Sequence, residues 1–235
     1  MRKILFVHPQ FRIIGGAELV ALHMLQWFLQ CAQTHVTLLT LIPPDIDEVF
    51  RSTGIRIVAD NLKIQTISLP FHLERVQGRF ALIQISFLHR QARKMSEQFD
   101  VCLSSFNELD FGRRAGGIQY IHFPILAERS KLQEYKMLGD KNIRDKIPLL
   151  NNLYRGAMKL MGSEGKGFTN NITIVNSKFI RDLVRSLYSI DSVVLYPGFL
   201  PDEETRDLPP WEQREFSFIS VGRISPDKDT LQLLR

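Results

Sequence analysis

The spacing of apolar and polar positions changes character repeatedly along this chain. KILFVH (3–8) is a short, nearly unbroken apolar run, the pattern of a parallel strand buried on both faces. A turn holding Gly15-Gly16 follows. GAELVALHMLQWFLQ (16–30) then places Leu19, Leu22, His23, Leu25 and Gln26 at helical spacing. Glu18 sits in the first turn of that helix, where the macrodipole favours a carboxylate. HVTLLTL (35–41) predicts a second strand ended by Pro43-Pro44, and DIDEVFRSTG (45–54) predicts a short helix closed by Gly54. IRIVAD (55–60) and KIQTISL (63–69) supply one or two further strands.

Residues 74–98 carry a long amphipathic helical pattern with a basic side. FDVCLSS (99–105), IQYIHF (118–123), NITIVNS (171–177) and SVVLYPG (192–198) predict strands, and SKFIRDLVRSLY (177–188) a helix. KIPLLNNLYRGAMKLMG (146–162) also has helical spacing. Strands and helices alternating at this period imply an α/β fold with a doubly wound, Rossmann-like parallel sheet of about seven strands and right-handed crossovers. PDEETRDLPPWEQRE (201–215) is rich in proline and acid and reads as a linker. A new strand, FSFISVGR (216–223), and the start of a helix follow. The expected organisation is an N-terminal domain over 1–200, a linker over 201–215, and the first strand–helix unit of an incomplete second domain over 216–235.

Composition narrows the classes. With 44% hydrophobic and 23% charged residues in 235, the chain can bury a sizeable core. A net charge of +5 favours anionic partners such as phosphorylated small molecules or an acidic membrane surface. The basic residues are scattered and not interleaved with aromatics, which argues against nucleic acid. Cys31 and Cys102 lie in apolar surroundings without a CxxC or a ligand spacing, so both are read as buried thiols of a reducing compartment. The N-terminal apolar run is too short for a signal peptide, and no run approaches the roughly 18 apolar residues of a membrane span. A cytoplasmic protein is expected, with peripheral membrane contact through the basic faces of residues 74–95 and 146–162 as one possibility and solvated faces as the other.

Three stretches carry candidate chemistry. Gly15-Gly16, in the first strand–helix loop, lets backbone N–H groups approach a ligand at the positive end of a helix, or is a plain tight turn. VGRISPDK (221–228) sets Arg223 and Lys228 at the mouth of another such loop, where they suit a pyrophosphate or form an ordinary polar loop. In IQYIHFP (118–124), His122 stands at a strand end, as a structural histidine or a reactive one. The remaining histidines form no ligand pattern, so no metal is expected, and GxSxG, HExxH and P-loop motifs are absent.

In order, FVHPQF-x3-GGAE, YIHFP, VNSKFIRDLV, VLYPG and FISVGRISPDKD resemble the retaining, nucleotide-sugar-dependent "group 1" (family 4) glycosyltransferases of the GT-B fold. YIHFP and VLYPG are most similar to the mannosyltransferases that build dolichol-linked oligosaccharide. The resemblance implies transfer of a hexose, mannose being one option, from a nucleotide sugar to a glycan or lipid-linked acceptor, with no metal or other cofactor. It implies that Gly15 and Gly16 face the donor phosphates, that His122 lies beside the transferred sugar, and that Glu18 and Tyr120 are on the acceptor side. Arg223 and Lys228 would bind the donor pyrophosphate. The family's second domain continues well beyond this length, so the alternative is a non-catalytic acceptor-binding module, or a fragment whose donor site a partner chain completes.

Overall fold

The computed structural model describes residues 1–70, 81–112, 116–127, 166–198 and 209–217. Among these, seven strands form one sheet: β1 (Arg2–Val7), β2 (Thr34–Thr40), β3 (Leu62–Thr66), β4 (Val101–Ser104), β5 (Ile118–Ile121), β6 (Ile172–Val175) and β7 (Val193–Val194). Their order is β3-β2-β1-β4-β5-β6-β7 and every pairing is parallel. This is the expected doubly wound α/β architecture. Winding reverses between β1 and β4, the place where sheets of this kind take ligands at the carboxyl ends of their strands.

The four described helices are α1 (Gly16–Gln30), α2 (Ile46–Thr53), α3 (Ala81–Met95) and α4 (Lys178–Tyr188). Their ends follow local chemistry. Asp45 caps α2 by accepting from Glu48 N–H at 3.0 Å, and Gly54 closes it with a φ of 71°, which glycine adopts at no steric cost. Ser177 caps α4 through Ile180 N–H at 3.2 Å. The buried stripe of α4 is Ile180, Leu183 and Val184, one face at helical spacing.

Two apolar layers sandwich the sheet. On one side Phe6, Leu22, Leu25, Val36 and Leu38 pack together, and on the other Leu5, Leu39, Leu88, Cys102 and Phe111 do. Alternate residues of β1 therefore serve both layers, which explains its unbroken apolar run. A satisfied amide network crosses β5 and β6. Gln119 Nε2 donates to Thr173 Oγ1 at 2.9 Å, and Asn171 Nδ2 donates to Gln119 Oε1 at 2.9 Å.

Several sequence expectations need correction. Of the one or two strands read from IRIVAD and KIQTISL one forms, within KIQTISL and the residue before it; Ile55 and Ile57 are buried in an irregular segment leading to β3. In α1 the buried positions are Ala21, Leu22 and Leu25, whereas His23 is exposed. Only Val193–Val194 of SVVLYPG is strand, because β7 is a short edge. Cys31 is half-buried at the end of α1; Cys102 is buried as expected. Residues 146–162 and 218–235, with their predicted helix and strand, and most of the 201–215 linker lie outside the described residues. Its described part, around Trp211–Gln213, is exposed. Among the described residues, no helix is long and apolar enough to cross a membrane.

Candidate functional site

Parallel strands deliver their following loops to one end of the sheet. After β1 comes His8, after β4 Ser105 to Glu108, after β5 His122, and after β6 Asn176. Because β1, β4 and β5 are neighbours, two histidines far apart in sequence meet on one serine. His8 Nδ1 lies 3.0 Å from Ser105 Oγ, and that hydroxyl donates to Val7 O at 3.2 Å. With its proton used there, Ser105 Oγ accepts from His8, which places the His8 proton on Nδ1. The other side of Ser105 serves His122, whose Nε2 donates to the Ser105 carbonyl at 3.2 Å.

His8 is fully buried, stacked on Phe11 with ring centroids 4.3 Å apart and edge-on to Phe106 at 5.8 Å. Burial, reinforced by the nearby His122, pushes its pKa down to about 3, so its imidazole is neutral. Its Nε2 is buried with no hydrogen-bond partner. His122 is half-buried, and desolvation also lowers its pKa below the ordinary histidine value. A neutral His122 with Nε2 donating retains a lone pair on Nδ1. The backbone around it is held on both sides: its N–H donates to Asn107 Oδ1 at 2.8 Å, and its carbonyl accepts from Asn176 Nδ2 at 3.1 Å.

Tyr120 lies under His122, ring centroids 4.8 Å apart, but its side chain is buried and its hydroxyl donates to Leu195 O at 2.7 Å. Desolvation pushes that phenol up to about 12. Its position is that of a floor beneath the histidine.

The glycine pair answers a different need from the one its composition suggests. Gly15 has φ −117°, and neither it nor Gly16 has a positive φ, so the turn does not demand glycine for its backbone. A side chain at Gly16 would meet nothing within 4 Å, whereas one at Gly15 would approach Glu18 Oε2 at 3.1 Å. Gly15 N–H donates to that same carboxylate oxygen at 2.9 Å, so Glu18 closes the first turn of α1. Glu18 also lines a cavity of about 120 Å³ with His8, Gln10, Leu41, Gln84 and Phe106. The structure thus gathers Glu18 with His8, and Tyr120 with His122, at the carboxyl end of the sheet. Arg223 and Lys228 lie outside the described residues. Among the described residues, no three His, Cys, Asp or Glu side chains cluster as metal ligands.

Sequence reasoning missed His8, Ser105, Asn107 and Glu108. His8 follows an apolar strand next to a proline and could have been flagged by position alone. SSFNE (104–108) contains no motif, and only the sheet order brings it to the site.

The chain is similar in structure to Anabaena Alr3699/HepE in complex with UDP and glucose, at 14% identity over 85% of this chain and 45% of that one, with a TM-score of 0.40. It is also similar to Phytolacca americana UGT2 complexed with UDP-2fluoro-glucose and pterostilbene (10% identity, 86% and 55% covered, TM-score 0.43). The spinosyn forosaminyltransferase SpnP gives 17% identity, 89% and 56% covered, and a TM-score of 0.42. The chain spans about half the length of these structures. No protein family profile and no curated protein sequence matches it.

Proposed function

We propose that this chain is the acceptor-side part of a nucleotide-sugar-dependent glycosyltransferase. The observation that carries the reading is His122, a neutral imidazole held through backbone and ring at the carboxyl end of β5, one strand beyond the β1–β4 pair where the sheet's winding reverses. In this reading a hexose, mannose by the resemblance of YIHFP and VLYPG, passes with retention to a glycan or lipid-linked acceptor. His122 offers Nδ1 to a hydroxyl of the transferred sugar. Gly16, with open space beside it, lets donor phosphates approach the first turn of α1. Arg223 and Lys228 would neutralise the pyrophosphate as it departs. No metal is assigned a part.

The test is transfer from UDP- and GDP-hexoses to simple glycan and polyprenyl-phosphate-linked acceptors, followed by product mass. Transfer is expected, and His122→Ala is expected to reduce it by roughly 10²-fold or more while its melting temperature stays near wild type. Near-normal turnover by that variant returns His122 to a structural role. A second reading follows from the part of the solved structures that this chain spans, about half their length. It is a binding module whose donor site a partner chain supplies. Acceptor binding by calorimetry without turnover would support it.

A further inference from the structure

We infer that Asn107 and Glu108 are positioning residues, whose side chains template the backbone of residues 122–126 and so fix His122. The inference rests on the reading of His122 as the reactive histidine. β5 ends at Ile121, and beyond it the chain gains neither helix nor strand up to Ala127. A segment of that kind must find partners for its N–H groups one by one. Here two adjacent side chains supply those of residues 122 to 126. Asn107 Oδ1 accepts from His122 N–H at 2.8 Å and from Phe123 N–H at 2.9 Å. Pro124 has no N–H. Glu108 Oε2 accepts from Ile125 N–H at 3.2 Å, and Oε1 from Leu126 N–H at 3.4 Å.

The template is itself anchored. Asn107 sits in the left-handed region with φ 62°, its N–H donates to Tyr120 O at 3.0 Å, and its carbonyl accepts from Ser104 Oγ at 3.0 Å. Glu108 is fully buried, and the phenol of Tyr188, the last residue of α4, donates to its Oε1. Left-handed backbone at a non-glycine residue and a buried carboxylate are both costly, and such costs persist where the surroundings over-determine them. They are placed side by side, and their shared output is the loop that carries His122. The hydrogen bonds of both side chains go to backbone N–H groups of this loop, and the imidazole's own bond goes to Ser105 O. A rotated peptide at 122–123 would carry Nε2 away from Ser105 O, so their action on the ring runs through the backbone.

The experiment compares Asn107→Gly with Asn107→Asp in the full chain. Glycine accepts φ 62° without strain and deletes only the acceptor; aspartate tolerates the same region and keeps an acceptor oxygen. Hydrogen exchange is followed at His122 and Phe123, with Phe6 in the central strand as the reference for global stability. In Asn107→Gly the two loop amides are expected to exchange at least tenfold faster relative to Phe6, and in Asn107→Asp to stay protected. Glu108→Gln, which replaces one of the two acceptor oxygens, is expected to speed exchange at Ile125 and Leu126 and, along the shared loop, to a smaller degree at His122; unchanged exchange at all three overturns the part given to Glu108. Wherever transfer is measurable, Asn107→Gly should lose kcat tenfold or more with KM nearly constant, and Asn107→Asp should recover most of it. Unchanged exchange at 122–123 in Asn107→Gly overturns the template, as does a full kcat with those amides released. The amide readout needs no turnover, so exchange decides the template whether or not the chain transfers sugar, and failure of the transferase reading is read separately in the turnover assay.

Discussion

At the scale of single residues, His8 makes the sharpest demand on conditions. Its pKa is depressed to about 3 in the folded chain, against 6.5 for the free side chain. The unfolded chain therefore takes up the proton first, and stability contributed by this site is complete above pH 6.5 and lost as pH falls toward 3. His89, depressed to about 4 by burial and the neighbouring Arg93, acts in the same direction and the same window. Urea midpoints measured across this range are expected to fall with pH. His8→Phe, which keeps the stacking on Phe11, should flatten the curve without levelling it. Pro124 makes an opposite kind of demand. It is buried between two pairs of N–H groups whose acceptors are already occupied. Pro124→Ala would add a donor with no acceptor waiting, and denaturation should show a loss of about 1–3 kcal/mol.

At the scale of elements, α1 shows where packing outweighs pattern. Leu25 is fully buried among Phe6, Leu22 and Val36, so Leu25→Ala is expected to cost about 2–5 kcal/mol in chemical denaturation, while changes at exposed His23 should be nearly neutral. The strand–helix order was legible because each buried strand reads as an apolar run and each helix as an amphipathic one. The stop at Gly54 was legible too, since it acts through its immediate neighbours. IRIVAD misled because Ile55 and Ile57 are buried by the core without a strand partner, and composition cannot separate those two causes of apolarity. In the site, His122 and the glycine pair were visible as punctuation at strand ends. Ser105, Asn107 and Glu108 were not, because their roles come from contacts with β1 and the loop after β5, and those contacts have no local signature.

At the scale of the whole molecule, the basic balance meets, in the described part of α3, a helix that buries its apolar face against the sheet. In α3, Ile85, Leu88, Ala92 and Met95 are buried, Arg93 is paired with Asp110, and Arg90 and Lys94 remain exposed. Adsorption to anionic vesicles is therefore expected to be electrostatic alone, present at low ionic strength and lost on adding salt. Sedimentation with phosphatidylserine vesicles at two salt concentrations checks this, and salt-resistant binding would point to an apolar surface elsewhere. The sheet order has a further consequence, for the order of events during synthesis. β1 pairs with β2 after one short crossover, but its other neighbour, β4, begins about a hundred residues later. A nascent chain can close the β1–α1–β2 unit early, whereas the serine shared by the two histidines arrives only with the central pairing. The loop that carries His122 is thus the last part of the first half to exist, and a chain stalled before β5 would be folded at one edge with His8 and Ser105 in hand but without His122.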